Sequence, residues 1–425
     1  MASTSSSASP FPNRRAMILL LILSGAIISI CMGLRQSLGL FMRPMTIDAG
    51  VSAATFGFAI ALQNIVWGIS QPFVGALADK HGPRPILTGT AIAYAAGMLL
   101  MVYSHGTLGL DVAGFLLGIG TAGTAFGVLI GVVTRATPEA RRSQTVGLVA
   151  ASGSLGTMVL APFGQSLINN FGWQPAMVTF AVIASSMALF ALPIKHLAIV
   201  LNADPSRSNA NVVAKSRPLR EALREAIGHR GYLFMTLAFF ACGFQLVFIT
   251  THLPAYLQLC GVAPGVSATA LGLIGLFNTL GTYGFGLLGA RYSQKHLLAL
   301  IYLLRTLFIV GFLLAPISAT TTLIFAAAMG TLWLGVSPLV TGIIGRVFGL
   351  EHFGTLYGVV FLSHQVGSFF GAWMGGLVFA RWGNYNVAWG ALIAIGFTAF
   401  TLQWLMDDRP PTVHQPAGHP GLVPA

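Results

Sequence analysis

The chain has 425 residues, of which 55% are hydrophobic and only 8% are charged, and its formal net charge is +12 at pH 7. Soluble globular proteins carry about a quarter charged residues, so this composition excludes an ordinary soluble domain and indicates a membrane protein. The cysteines Cys31, Cys242 and Cys260 lack metal-ligand and disulfide spacing. No phosphate-binding loop or catalytic constellation is evident, so we expect no enzyme, no cofactor and no metal site.

About twelve apolar runs are long enough to cross a bilayer, which takes roughly 20 helical residues. The predicted fold class is an all-α membrane protein of twelve transmembrane helices. The predicted spans are 16–41, 53–77, 86–104, 109–134, 146–168, 176–195, 232–257, 267–290, 297–315, 320–345, 354–380 and 386–406.

The runs fall into two groups of six, separated by the longest polar stretch of the chain. We expect a flexible N-terminal tail at 1–15, a six-helix bundle at 16–195, a cytoplasmic linker at 196–230, a second six-helix bundle at 231–408 and a disordered tail at 409–425. Residues 217–226 carry apolar and charged side chains in the pattern of a short amphipathic helix at the inner membrane surface.

The two groups are related by a repeat at an offset of 211 residues. Matching glycines, serines and cations predict two copies of one bundle, a pattern typical of one class of secondary transporter. The first-copy positions are Gly75, Leu77, Lys80, Arg84, Arg135, Gly147, Ser152, Gly156, Gly164 and Gly172, and the second-copy positions are Gly286, Leu288, Arg291, Lys295, Arg346, Gly358, Ser363, Gly367, Gly375 and Gly383.

The lysines and arginines fix a predicted topology. With both termini inside, 18 of them lie on the inner side and only Arg43 and Arg381 lie in outer loops. The positive-inside rule then places both termini in the cytoplasm, and we expect a bacterial inner membrane. A charge of +12 also suits nucleic-acid binding, but these cations sit in short loops between spans, so we expect no nucleic-acid partner.

The loop after the second span reads Gly-Ala-Leu-Ala-Asp-Lys-His-Gly-Pro-Arg from Gly75 to Arg84. It resembles the signature loop of the major facilitator superfamily. That resemblance implies a gating role for Asp79, Lys80 and Arg84, in which the aspartate meets the N-terminus of span eleven. A helix N-terminus attracts an anion. The alternative is that Asp79 only balances its basic neighbours. Ala290 replaces it in the second copy.

Three segments resemble the monocarboxylate and oxalate–formate branch of that superfamily, and they begin at Arg35, Leu253 and Ser363. Monocarboxylate transporters place a lysine near the positions of Arg35 and Gln36. They also carry an aspartate–arginine pair roughly where this chain has Asn278 and Thr282, so their proton relay is not reproduced here. Oxalate–formate relatives carry a lysine in span eleven, where this chain offers His364.

Two arginines lie within predicted spans, and a buried cation usually marks function. Arg305 and His364 fall about 12 and 15 Å from the inner ends of their helices, near the depth at which such transporters bind substrate. Arg305 offers a bidentate fork to a carboxylate; the alternative is a structural cation facing backbone carbonyls. Arg35 either guides anions or extends to the interface. Gln36, Asn64 and Asn278 complete the predicted substrate-binding set, although buried amides also join helices.

All ten acidic residues map to loops, termini or span ends, which favours an anionic substrate. We therefore expect a secondary active transporter that moves a small organic anion, with a monocarboxylate the favoured class, by alternating access with proton symport or anion exchange. The expected partners are that anion, a proton or counter-anion and the lipid bilayer, and we expect a monomer. The alternatives are efflux of a neutral or amphipathic compound and, less favoured, a transporter-like membrane sensor.

Overall fold

The computed structural model describes residues 14–103, 106–138, 141–201, 219–349 and 352–410, and this part of the chain is helical with no strand. The first half contains α1 (Arg14–Ser37), a 3₁₀ turn (Leu38–Phe41), α2 (Met42–Asp48), α3 (Ala53–His81), α4 (Pro83–Tyr103), α5 (Thr107–Thr124), α6 (Gly127–Ala136), α7 (Arg142–Phe171), α8 (Trp173–Ala191) and α9 (Ile194–Val200). The second half contains α10 (Leu219–Gly228), α11 (Arg230–Leu259), α12 (Pro264–Arg291), α13 (Gln294–Leu314), α14 (Ala319–Leu332), α15 (Val336–Phe348), α16 (Phe353–Trp382) and α17 (Asn386–Leu405).

These helices form twelve spans, which confirms the predicted fold class. Eleven of the described helical stretches are long and apolar enough to cross a membrane. The twelfth, α16, has 30 residues but falls outside that set, since glycines and the polar His364 and Gln365 interrupt its apolar sequence. It packs against α11 of its own half and α3 of the other half. A helix that packs between two bundles has fewer lipid-facing hydrophobic residues than a peripheral helix and more small and polar ones.

Equivalent contacts in the two halves bear out the repeat. The Ser152 hydroxyl donates to the carbonyl of Gly25 at 3.0 Å, and the Ser363 hydroxyl donates to the carbonyl of Thr236 at 2.7 Å. Each donor and each acceptor is 211 residues from its counterpart. Close glycine contacts repeat in the same way: a Cβ on Gly156 or Gly367 would overlap a carbonyl oxygen of the facing helix. Gly156 and Gly367 are therefore equivalent packing positions, at which the lack of a side chain lets helix backbones approach closely.

The fourth span of each half is broken, which the sequence analysis did not predict. In the first half α5 ends at Thr124 and α6 begins at Gly127; in the second, α14 ends at Leu332 and α15 begins at Val336. A break frees backbone groups that must find other partners inside a membrane. Side chains from neighbouring helices form hydrogen bonds with these freed backbone groups, and different side chains do so in the two halves.

The two ends of the molecule differ in how closely the halves approach. We call the end that carries Lys80, Arg84, Arg135, Arg291 and Arg346 the basic end, and the other the opposite end. At the opposite end the halves touch backbone to backbone: a Cβ on Gly39 would overlap the carbonyls of Thr250 and Thr251, and one on Gly57 would overlap that of Ala372.

At the basic end the two halves diverge. A Cβ added to Gly75 of α3, or to Gly354 or Gly358 of α16, would meet no heavy atom of the described residues within 4 Å. These are the same two helices whose other ends are in backbone contact. The structure is therefore closed at the opposite end and open at the basic end.

Several predicted boundaries need adjustment. The first span continues through a 3₁₀ turn and α2 to Asp48, beyond the predicted end at residue 41. The amphipathic helix predicted at 217–226 is α10, Leu219–Gly228, and the rest of the linker from 202 to 218 lies outside the described residues. The predicted tails also lie outside them, except that α1 already begins at Arg14 and the described chain continues to Pro410.

Candidate functional site

Arg35 lies on α1 at the contact between the two halves and is half-buried. Its Nη2 donates to Oδ1 of Asn64 at 2.5 Å, while its buried Nε has no acceptor among the described residues. The guanidinium also lines a small cavity just beneath the closed opposite end. A guanidinium that lines a cavity and keeps one buried donor unpaired among the described residues is suited to bind an incoming carboxylate.

The cavity is formed by both halves. Four first-half residues line it besides Arg35 and Asn64, and three residues of α11 close it from the second half. They are Leu38, Gly39, Ile60, Gln63, Val247, Thr250 and Thr251. Substrate sites of transporters built from two repeats lie at such an interface.

Trp67 supports the guanidinium from one side. The centre of the guanidinium lies 5.0 Å from the centroid of the Trp67 ring, and the indole N–H donates to Oε1 of Gln71 at 2.7 Å. Gln71 in turn donates to the carbonyl of Ala122, just before the break between α5 and α6, at 3.2 Å. This series of contacts fixes the orientation of Arg35 and connects it to the broken fourth span.

A second series of contacts leads from Arg35 into the other half. The side chain of Gln365 on α16 donates from Nε2 to the backbone carbonyl of Asn64 at 2.9 Å. Its Oε1 lies 3.0 Å from Nδ1 of His364. The structure thus brings together three of the predicted residues, Arg35, Asn64 and His364, through Gln365.

Gln36 and Asn278 lie in neighbouring contacts. Gln36 donates to the Thr157 hydroxyl at 2.9 Å, within the first half. Asn278 of α12 donates to the Ser154 hydroxyl of α7 at 2.7 Å, across the two halves, and its Oδ1 accepts from the backbone N–H of Leu334 at 2.9 Å. Both amides are engaged in joining helices, and neither is among the residues that line the cavity.

The structure places Arg305 away from the cavity. It is fully buried on α13, and its Nε donates to the carbonyl of Leu332 at 3.1 Å. Its Nη2 donates to the same carbonyl at 2.6 Å and also to that of Trp333. These carbonyls belong to the break between α14 and α15. The geometry favours the structural role that the sequence analysis kept as the alternative for Arg305.

The predicted gating residues lie at the open basic end. Asp79 is 3.5 Å from Arg135, and both side chains are substantially exposed, at 61% and 36%. Lys80 and Arg84 are exposed. Among the described residues the ion-pair partner of Asp79 is Arg135, which lies within its own half. The contact between Asp79 and span eleven stays a prediction for the state in which the basic end is closed.

Gln63 is a cavity residue that the sequence analysis missed. It is fully buried, and both its Nε2 and its Oε1 lack a hydrogen-bond partner among the described residues. The only signal in the sequence was an amide pair, Gln63-Asn64, inside an apolar span. Helical periodicity could not show that both amides of adjacent residues face protein, because that depends on how α3 packs against α5 and α16.

Comparisons with known proteins agree with this architecture. The model of the Major Facilitator Superfamily matches residues 19–341. The chain belongs to this superfamily of transporters. Monocarboxylate transporter 13 of Rattus norvegicus is 24% identical over 86% of this chain and 83% of its own length. The oxalate:formate antiporter of Oxalobacter formigenes is 24% identical over 90% of each chain.

A solved structure of the same fold comes from a bacterial homologue of the human lysosomal transporter Spinster, described as inward-facing and unoccupied. It superposes with a TM-score of 0.70 at 14% identity and covers 93% of this chain and 95% of that one. This likeness shows the fold. Membership of the superfamily makes the protein a multi-pass membrane transporter with a small-molecule substrate.

Proposed function

We propose that this transporter moves a small organic anion, a monocarboxylate in the first instance, and that Arg35 binds its carboxylate. The observation that carries the proposal is that the buried Nε of Arg35 has no acceptor among the described residues, while Arg35 lines a cavity between the halves. A guanidinium donates to a carboxylate through two parallel bonds. No described carboxylate lies at this interface to neutralise Arg35, so the site attracts an anion.

The names of the relatives support the same class of substrate. Two of the matched proteins are named as a monocarboxylate transporter and an oxalate:formate antiporter. A carboxylate is their common chemical feature. The alternative, efflux of a neutral or amphipathic compound, would leave the guanidinium of Arg35 without an anion in a membrane-buried site, which is costly.

The proposed cycle uses the closed and open ends described above. With the basic end in the cytoplasm of a bacterial inner membrane, as the cation distribution predicts, the structure represents the inward-open state. The anion binds Arg35, the halves rock about the contact of α3 with α16, and the opposite end opens. His364 is the candidate proton carrier, since Gln365 connects it to Asn64 and so to Arg35. Exchange for a second anion is the other mode of coupling.

Flux measurement tests the proposal. Purified protein in proteoliposomes should take up short radiolabelled carboxylates saturably, and Arg35→Gln should abolish this uptake while the protein remains folded. Liposomes without protein supply the control. Absence of carboxylate flux together with export of a neutral dye would favour the efflux alternative.

A second variant separates binding from coupling. In His364→Ala, uptake driven by a pH gradient should fall, while exchange of substrate for substrate should persist, because exchange needs the binding cation but no net proton movement. An unchanged response to the pH gradient would rule out His364 as the proton carrier and leave anion exchange as the mode of coupling.

A further inference from the structure

His252 of α11 lies close behind the closed opposite end. It is fully buried, and its Nε2 is 2.7 Å from the backbone carbonyl oxygen of Ala372 on α16. A carbonyl oxygen can only accept, so Nε2 carries the proton and donates it to this bond. Nδ1 of the neutral ring is then an acceptor, and it has no partner among the described residues. The ring therefore has one nitrogen that could still take up a proton.

The carbonyl that His252 binds also belongs to the contact between the halves. A Cβ added to Gly57 of α3 would lie only 2.6 Å from the oxygen of Ala372, so the first half packs directly on this group. Gly376 of α16 packs in the same way on the carbonyl of Ala53, and its neighbour Gly375 packs on the imidazole ring of His252. The stretch of α16 that closes the opposite end is therefore the stretch that covers His252.

Tyr385, the residue before α17, covers a second side of the ring. The ring centroids of Tyr385 and His252 are 5.4 Å apart. The Tyr385 hydroxyl donates to the Sδ atom of Met42 on α2 at 3.9 Å, which is another contact between the halves. Two neighbours of the imidazole are thus held in place by the first half. Separation of the halves at this end breaks both contacts and gives water a route to Nδ1.

The surroundings of the ring are aromatic and uncharged. Phe248 of α11 lies 5.2 Å from it, between ring centroids, and the titratable side chain in contact with it is that of Tyr385. Tyr256 contacts Tyr385 in turn, at 6.2 Å. The charged residues at this end of the elements packed against α11 are at least partly exposed, and among the described residues none of them pairs with His252: Arg43 and Asp48 of α2 and Arg381 of α16.

We propose that His252 is a proton-binding site that controls the opposite end of the transporter. A proton taken up at Nδ1 when the halves separate holds that end open, because the charged ring would return to a buried place with no acceptor for its second N–H. The closed structure holds the neutral ring. With the predicted topology, acid outside the cell therefore favours the outward-open state. This inference does not depend on which ligand Arg35 binds.

A distance measurement across the opposite end tests the site. Nitroxide labels on Ile47→Cys of α2 and Val387→Cys of α17, which replace exposed residues, report the separation of the halves by double electron–electron resonance in nanodiscs. Cys260→Ser is the background, since Cys31 and Cys242 are buried. A histidine in water titrates near pH 6.5, so one proton bound only to the open state should raise the ratio of open to closed protein roughly tenfold between pH 8 and pH 5.5.

Two substitutions at His252 remove the proton but keep different parts of the packing. In His252→Gln the amide N–H can still donate to the carbonyl of Ala372, and in His252→Phe a ring still packs on Gly375. In both variants the ratio of open to closed protein should change less than twofold over the same pH range. His296→Gln makes the same change at an exposed histidine of the basic end and should keep the wild-type response.

His364→Ala separates this site from the proton carrier of the proposed function, and it should also keep the response. A wild-type ratio that does not change with pH, or a wild-type response in both His252 variants, would overturn the proton site. Loss of the response in His364→Ala with its retention in His252→Gln would assign it to His364 instead. Neither result touches carboxylate flux through Arg35, which the proteoliposome assay tests separately.

Discussion

The two halves share one helical plan, yet each uses its buried arginine for a different purpose. Arg35 in the first half lies at the contact with the other half, lines a cavity, and has a donor, Nε, without an acceptor among the described residues. Arg305 in the second half faces its own helices, and its Nε and Nη2 are engaged with the carbonyls of Leu332 and Trp333. Nη1 of Arg305 is also without a partner among the described residues, so position separates the two arginines: Arg35 lines the cavity between the halves and Arg305 does not.

The broken fourth span explains this asymmetry. In the second half a guanidinium stabilises the break between α14 and α15. In the first half the position equivalent to Arg305 is Tyr94, whose hydroxyl donates to the carbonyl of Cys31 at 3.3 Å. The amide of Gln71 instead bonds next to the break between α5 and α6. In the first half, Arg35 therefore has no part in stabilising the break of the fourth span.

The largest expected effect is on stability, in Arg305→Ala. Loss of the guanidinium leaves two buried carbonyls unpaired, at about 1–3 kcal/mol each, so we expect the free energy of unfolding to fall by about 2–6 kcal/mol. Thermal unfolding in detergent measures the change. Tyr94→Phe, at the equivalent position, removes one long hydrogen bond and should cost only about 1 kcal/mol. A wild-type melting temperature in Arg305→Ala would contradict the structural role.

Asp79→Asn tests the second difference between the halves, since Ala290 stands at the equivalent position. The charge of Asp79 should stabilise the state closed at the basic end by about 0.3–2 kcal/mol through the N-terminus of α16. Its loss should raise the population open at the basic end. In a Cys260→Ser background, thiol labelling of Gly358→Cys should then become faster. Asp408→Asn, which removes the ion pair with Arg346 at 2.6 Å within one half, should leave the labelling rate unchanged.

Unchanged labelling in Asp79→Asn, or an equal increase in Asp408→Asn, would show that the ion pairs at the basic end act only within their own halves. The predicted contact between Asp79 and span eleven would then be wrong.

The smallest expected effect tests what the halves have in common. Ser152→Ala and Ser363→Ala each remove one equivalent hydrogen bond between helices and should each lower the free energy of unfolding by about 0.6–1 kcal/mol. Thermal unfolding should show the same shift for both variants. Ser185→Ala, whose exposed hydroxyl bonds only within its own helix, should show almost none. A clear difference between Ser152→Ala and Ser363→Ala would limit the symmetry to the backbone.

Much of the fold could be predicted from the sequence, because each span follows from local hydropathy and the repeat follows from glycines and serines at one fixed offset. The breaks in the fourth spans could not be predicted, since the side chains that stabilise them, Gln71, Asn278 and Arg305, come from other helices. The candidate site was predicted in part. Arg35, Asn64 and His364 were selected and do come together, whereas Arg305 was given a role that depends on which way its side chain faces.

Gln63 illustrates the same limit of sequence analysis, because it lines the cavity although the sequence did not single it out. Nothing local distinguishes its amide from that of Asn64, which bonds to Arg35 and to the carbonyl of Ile60. The difference arises only when α3 packs against α5 and α16 and the amide of Gln63 is left without a partner among the described residues. Sequence therefore identifies the polar residues within spans, and tertiary packing decides which of them are free to bind a substrate.

Carboxylate affinity in arginine variants tests the central claim most directly. The dissociation constant of a transported short carboxylate should be measured by isothermal titration calorimetry for wild type, Arg35→Gln and Arg305→Lys in nanodiscs. Loss of the charged hydrogen bonds should weaken binding roughly 100-fold in Arg35→Gln. Arg305→Lys should unfold at a lower temperature but bind within about threefold of wild type. Wild-type affinity in Arg35→Gln, with lost affinity in folded Arg305→Lys, would contradict the assignment and place the anion at Arg305.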